Sequence, residues 1–136
     1  MKNSMLALIA MLSLAVGQVA CAQSSSSESA RALAAPGEFV SVGNHRVTGA
    51  VFVETRTDGL YLVLNDDFES QTGPDLRVLL RDRQNPAQML VVEPLQAPRG
   101  RQEYKLALTA EELRAFNQVS IYCAKFHVDF GVADLP

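Results

Sequence analysis

The amino-acid sequence predicts an all-β protein, an antiparallel β-sandwich of about seven to nine short strands with one short helix before the penultimate strand. Apolar residues recur at every second position, as where Leu76, Val78 and Leu80 alternate with Arg77 and Arg81, which is typical of strands with one wet face. Turn residues interrupt these runs at Gly43-Asn44, Gly73-Pro74, Asn85-Pro86 and Pro98-Arg99-Gly100. No pair of predicted strands encloses a crossover helix, which disfavours a parallel sheet.

About seven runs along the chain are predicted strands. They are residues 37–42, 46–55, 59–65, 76–80, 89–95, 104–108 and 119–124. Asp58-Gly59 favours a tight hairpin turn between the second and third runs. Residues 109–116 carry the helical signal, because Thr109 as N-cap with Glu112 three residues later is a capping box.

The carboxy-terminal segment changes the parity of its apolar positions. Val119, Ile121 and Cys123 share one parity, so a continuous strand places them on one face, whereas the apolar residues between 126 and 130 have the other. A one-residue slip sends every side chain to the opposite face. The chain must therefore bulge or turn near Ala124-Lys125 if both sets are buried, and Cys123 is predicted to point inward just before that irregularity.

Residues 1–21 are predicted to be a signal peptide. Lys2 precedes an apolar run that is too short to span a bilayer, which takes about 20 apolar residues. Val19-Ala20-Cys21 resembles the lipobox of bacterial lipoproteins, in which the cysteine is acylated, although Gln18 stands where an aliphatic residue is usual. Ordinary cleavage after Ala22 is the alternative, and we favour the lipoprotein interpretation with Cys21 as the lipid attachment residue.

Residues 22–35 are predicted to be a flexible Ser-rich tether, because the polar segment 24–29 cannot bury enough apolar area to offset its ordering entropy. A single folded domain then spans residues 36–136. If Cys21 is acylated or removed, Cys123 is the only thiol left in an oxidising compartment. We expect the protein in the cell envelope, anchored to the membrane through Cys21, or periplasmic or secreted if ordinary cleavage applies.

The charge and the motifs of the sequence argue against several classes of function. Twelve Lys plus Arg against fifteen Asp plus Glu in 136 residues give a net charge of −3 without a basic cluster, which argues against a nucleic-acid partner. The sequence has no nucleophile elbow, phosphate loop, recognisable pair of catalytic carboxylates or Cys-x-x-Cys motif. Hydrolase and nucleotide-binding functions therefore have no support.

Three interpretations of Cys123 stay open from the residues alone. It is an inert core residue, a redox thiol with positive charge supplied by Lys125 or His127, or a ligand to haem or a metal. His45 lies in a predicted turn, where it is either simply solvated or a second ligand or proton-handling partner that folds back beside Cys123. Cys123, His127 and Asp129 superficially suggest a metal set, but the parity change argues against all three facing one way, so no metal site is predicted.

Several motifs together resemble the DM-thirteen domain. They are Gly37-x-Phe39, His45-x-x-x-Gly49, Phe68, Gly73-Pro74-Asp75-Leu76, Gly100-x-Gln102-x-Tyr104, and Val119-x-Ile121-Tyr122-Cys123-x-x-Phe126-x-Val128-x-Phe130-Gly131. This domain accompanies DOMON domains in Skeletor-type animal proteins and also occurs alone in bacterial exported proteins and lipoproteins. The resemblance covers nearly all of the predicted domain, and the segment around Cys123 is its specific portion.

The resemblance implies a β-sandwich-like electron-transfer domain whose cysteine, here Cys123, acts as a bare thiol or through a bound group such as haem. The family usually has Trp before this cysteine, and Tyr122 here keeps the aromatic bulk but puts any role of an indole in doubt. We predict an exported, membrane-tethered domain with a redox role centred on Cys123, acting with a redox protein partner rather than as a stand-alone enzyme. The alternative is a non-enzymatic binding or envelope-structural module in which Cys123 is only a core residue.

Overall fold

The computed structural model describes residues 35–136, and the predicted signal peptide, Cys21 and nearly all of the tether lie outside them. This part of the chain forms eleven strands and one helix. They are β1 (Gly37–Glu38), β2 (Val40–Ser41), β3 (Val47–Thr48), β4 (Ala50–Arg56), β5 (Gly59–Leu64), β6 (Glu69–Ser70), β7 (Leu76–Arg81), β8 (Met89–Pro94), β9 (Gln102–Leu106), α1 (Ala110–Leu113), β10 (Gln118–Cys123) and β11 (Val128–Asp134).

The strands form two main antiparallel sheets and one small pair. One sheet has the order β1-β4-β5-β9, the other β2-β11-β10-β7-β8, and β3 pairs with β6. The apolar residues that the two main sheets bury form one core cluster. The predicted antiparallel sandwich and the helix before the penultimate strand are both confirmed.

The strand count exceeds the seven predicted runs because two of the runs are divided and because β6 and β11 lie outside all of them. The first run changes sheets at Phe39, since β1 pairs with β4 whereas β2 pairs with β11, and the Phe39 side chain is buried between them. The second run breaks at Gly49, whose φ of +103° favours glycine. A Cβ atom at Gly49 would lie 2.5 Å from the Cα atom of Phe68, so this close approach also requires glycine.

A buried tyrosine closes one side of the core. The Tyr104 hydroxyl donates to Gln102 Oε1 at 2.7 Å and accepts from the backbone N–H of Gln96 at 3.0 Å, so the buried polar group is satisfied. Burial raises the pKa of Tyr104 above its ordinary value, because the charged phenolate loses hydration there.

The helix α1 begins at the predicted capping box. The Thr109 hydroxyl accepts from the backbone N–H of Glu112 at 3.2 Å, and the backbone N–H of Thr109 donates to Glu112 Oε2 at 2.8 Å. The latter bond lowers the pKa of Glu112. The helix ends at Leu113, earlier than predicted, and buries none of its residues. No helix within residues 35–136 has the length and apolar character needed to cross a membrane.

Candidate functional site

Cys123 is the last residue of β10, and its side chain is 0% exposed. It pairs with Leu76, the first residue of β7, and with Val128, the first residue of β11. Directly paired residues of antiparallel strands point to the same face, so these two side chains flank the thiol. The predicted inward orientation is confirmed, and Cys123 lies at the end of the five-stranded sheet because both neighbours begin their strands.

A tight turn at residues 124–127 joins β10 to β11. The backbone N–H of Ala124 donates to the carbonyl oxygen of Asp75 at 2.9 Å, which fastens the turn to the loop before β7. His127 has a φ of +55°, in the left-handed region that residues other than glycine seldom adopt. The backbone irregularity predicted near Ala124-Lys125 is therefore this hairpin turn.

The apolar residues after the turn are not buried as one set. Phe130 is buried, but Phe126 is 59% exposed and Val128 is 38% exposed, so the expectation that the three are buried as one set is wrong for Phe126 and Val128. The register between β10 and β11 shifts beside Phe130, which stays unpaired between Asp129 and Gly131. This bulge turns Phe130 into the core, while Phe126 remains at the tip of the hairpin.

The ring of His45 stacks flat on the ring of Phe130. Their centroids are 3.8 Å apart and the ring planes differ by 5°. The backbone N–H of His45 donates to the Val42 carbonyl at 3.2 Å, and the backbone N–H of Val42 donates to the Phe130 carbonyl at 2.9 Å. His45 Nδ1 is buried and has no hydrogen-bond partner within residues 35–136. These contacts hold His45 at the end of the sandwich where Cys123 lies.

Phe130 and Leu76 connect the two candidate residues. A Cβ atom on Gly73 would lie 2.9 Å from Leu76 Cδ2 and 3.0 Å from the Phe130 ring, so both side chains pack against Gly73. Leu76 pairs with Cys123, and Phe130 carries the His45 ring. No hydrogen bond joins His45 to Cys123 among the described residues. The sequence reasoning missed Leu76 and Phe130 as neighbours of the site, although the Gly73-Pro74-Asp75-Leu76 motif was a signal for the first.

Cys123, His127 and Asp129 do not converge on one point. Cys123 faces the core, whereas the Asp129 carboxylate accepts on the outer face from Arg81 Nη1 at 2.7 Å and from Ser120 Oγ at 2.5 Å. His127 is exposed in the hairpin turn, where its Nδ1 atom contacts a neighbouring tyrosine hydroxyl. Within residues 35–136 no group of three or more His, Cys, Asp or Glu side chains is placed to hold a metal ion.

The surroundings of Cys123 are apolar and closed. Lys125 and His127 are exposed in the turn, and no side chain of the described residues forms a hydrogen bond with the buried thiol. A reactive thiol needs thiolate character, which positive charge or hydrogen-bond donors provide. The thiol is therefore closed to solvent in this conformation, and a reagent would reach it only if the end of the sheet opened.

The described residues do not fit a haem held by Cys123. A haem ligand needs open space at its sulfur atom, and neither Cys123 nor His45 lines any of the five main cavities of residues 35–136. A cleft of about 320 Å³ between residues 72–76 and 94–98 is lined by Leu76, which pairs with Cys123, but not by Cys123 itself.

Comparison with protein-family models identifies one match, described as "Electron transfer DM13", over residues 38–135. Neither the curated proteins nor the solved structures contain a match. The matched region includes β2 to β11, both candidate residues and every motif after Phe39 that carries the resemblance. Since the match covers well over half of the chain, the protein belongs to the DM13 family of electron-transfer domains.

Proposed function

We propose that this protein is an exported, membrane-tethered electron-transfer domain whose redox group is the thiol of Cys123. The observation that carries the proposal is the position of this unpaired thiol, which lies at the end of its sheet under two residues that each begin a strand. Opening one hairpin would uncover it without breaking the centre of the core. The family description supplies the general role.

The chemistry that suits a lone thiol is thiol–disulfide exchange with a partner protein. When the hairpin opens, water reaches Cys123, and the thiol ionises by giving its proton to solvent. The thiolate attacks one sulfur of the partner's disulfide, a mixed disulfide forms, and the partner's other sulfur leaves as a thiolate that takes up a proton. A thiolate of a second protein, a dithiol, then attacks the Cys123 sulfur and releases the first partner as a dithiol. The other thiol of this second protein displaces Cys123, which returns to the thiol form while the second protein becomes the disulfide, so two electrons pass from the second protein to the first.

The location of the protein belongs to the same proposal. Cys21 follows a short apolar leader and a small residue, as an acylated cysteine does in a lipoprotein, so we infer a lipid anchor at the amino terminus. Cys21→Ala should move the protein from the membrane fraction to the soluble fraction of the envelope. An unchanged distribution, together with a mature chain that begins at Gln23, would replace the anchor by ordinary secretion.

Native alkylation of Cys123 tests the redox proposal. Val128→Ala removes half-exposed cover beside the thiol, and Val132→Ala is the matched control, because Val132 pairs with Ser120 on the other face of the same hairpin. If the hairpin opens locally, Val128→Ala should react with iodoacetamide about fivefold faster than the rate expected from its loss of global stability. If the rates in both variants follow global stability alone, the thiol is reached only in the unfolded chain and the proposal fails.

The second candidate is a non-enzymatic binding or envelope-structural module in which Cys123 only packs. Its full burial among apolar side chains favours this function. The two functions differ in Cys123→Ala, which in a packing role lowers stability by about 1 kcal/mol and changes nothing else. In the redox role the same variant abolishes mixed-disulfide formation with a disulfide-bearing partner.

A further inference from the structure

An apolar groove lies at the opposite end of β10 from Cys123. Its volume is about 380 Å³, and its apolar walls come from β4, from α1 and the segment after it, and from the carboxy terminus. The larger apolar side chains of the wall are Phe52, Val53, Leu113, Phe116 and Leu135. We call this cavity the end groove. Since β10 has six residues, the groove and Cys123 are separated by about 17 Å along the strand.

Arg114 lines the end groove and caps the carboxy terminus of α1. Every other arginine of residues 35–136 forms an ion pair with a carboxylate. Arg114 has no such partner among these residues, and its side chain is exposed. A guanidinium group therefore stands at the rim of a mostly apolar cavity without a carboxylate partner among the described residues, and Asn117 is the other polar side chain that lines the cavity.

These two observations define the ligand chemistry. The walls contain two aromatic and three aliphatic side chains that are only partly buried, so a hydrocarbon chain placed there would remove apolar surface of both partners from water. The planar fork of a guanidinium group matches a carboxylate with two parallel hydrogen bonds. A cationic amphiphile would be repelled by Arg114, and a neutral one would leave it unpaired.

We propose that the end groove binds a single-chain carboxylate, a fatty acid of medium length, with its tail in the groove and its head group on Arg114. The volume lies at the lower end of the range for small-molecule sites, which suits one flexible chain rather than a two-chain lipid. The site uses no residue near Cys123, so it goes beyond the electron-transfer role and does not depend on it.

Calorimetric titration of the full-length chain with decanoate, below the concentration at which decanoate forms micelles, tests the proposal. We expect saturable binding of one decanoate, about tenfold weaker binding to Arg114→Gln, and intermediate binding to Arg114→Lys. The control is Arg99→Gln, which removes an exposed positive charge outside the groove and should bind as the parent does. Decanol should bind the parent about as weakly as decanoate binds Arg114→Gln, and decylammonium more weakly still.

Several outcomes would overturn the proposal. Equal binding of decanoate and decanol, or equal effects of the substitutions at Arg114 and Arg99, would remove the carboxylate site. If decanoate binds to Leu33→Asp but not to the parent, the groove is assigned to the chain's own residues before Ala35. Binding to phosphatidylglycerol vesicles without binding of free decanoate would assign it to a membrane surface, and a dimer that Phe116→Asp disrupts would assign it to a second copy.

Discussion

Removal of the Asp129 carboxylate should be among the most damaging single changes on the outer face of the five-stranded sheet. Asp129 accepts from Arg81 Nη1 and from Ser120 Oγ, at 2.7 and 2.5 Å. The side chains of Arg81 and Asp129 are only 12% and 22% exposed, and Ser120 is fully buried. Asp129→Ala therefore leaves a largely buried guanidinium and a buried hydroxyl without their acceptor.

The expected loss follows from these contacts. Two hydrogen bonds to a charged group contribute about 1.5 to 3 kcal/mol each, and breaking a buried ion pair costs about 3 to 5 kcal/mol. Since the pair keeps some contact with water, we expect Asp129→Ala to lower the free energy of unfolding by about 3 kcal/mol. With a urea dependence of about 1.5 kcal/mol per molar, the midpoint of unfolding falls by about 2 M.

Asp134 provides a matched control on the same strand. Its carboxylate pairs with Arg83 Nη1 at 2.6 Å, but the two side chains are 58% and 60% exposed. An exposed pair contributes about 0 to 1 kcal/mol, so Asp134→Ala should shift the urea midpoint by less than about 0.7 M. Circular dichroism suits the measurement because the chain has no tryptophan. Equal shifts in the two variants would refute the reasoning, since both remove one negative charge and differ only in burial.

Three further predictions concern the core, the helix and a close approach. Burial raises the pKa of Tyr104, so this tyrosine ionises first in the unfolded chain as pH rises above 10.0, and the stability of the fold decreases above that pH. Tyr104→Phe should reduce the alkaline decrease of the thermal midpoint, and an unchanged dependence of the midpoint on pH would contradict this prediction. Thr109→Ala removes the N-cap bond of α1 and should cost about 1 kcal/mol by urea unfolding. Gly131→Ala places a Cβ atom 2.5 Å from Val47 Cβ in the core and should lower the free energy of unfolding by at least about 2 kcal/mol. Gly43→Ala is the control, because Gly43 has a φ of +61° with open space around it, and it should lower that free energy by about 1 kcal/mol. Similar losses in the two variants would refute the packing argument.

The periodicity of the sequence was sufficient to predict the architecture but not the short strands. The alternation around Leu76 and around Val119 predicted β7 and β10 closely, because one face of each strand is buried and the other carries polar groups. The division of the first run at Phe39 was not predictable, since both halves are extended and only the partner strand changes. The break at Gly49 depends on the close approach of Phe68, a contact between distant parts of the chain.

The local features of the candidate site were also predictable from the sequence, whereas its long-range contacts were not. The parity change after Cys123 predicted its inward orientation and the irregularity that follows it, because both are local properties of the chain. The parity argument treated Phe126, Val128 and Phe130 as one set, but a four-residue turn places Phe126 at its tip and only the bulge turns Phe130 inward. The stacking of His45 on Phe130 is a long-range contact that no spacing in the sequence could reveal.

The sites proposed at the two ends of β10 can be separated by experiment. Cys123 lies at one end and the end groove begins beside Asn117 at the other, and between them the outer face is held by the ion pair of Arg81 and Asp129. Loosening the hairpin at Val128 leaves that pair and the register of β10 with β7 in place, so it should change alkylation of Cys123 without changing decanoate binding. Arg114→Gln should do the reverse. Parallel changes in both properties would mean that the strand responds as one unit, because local opening would then extend along its whole length.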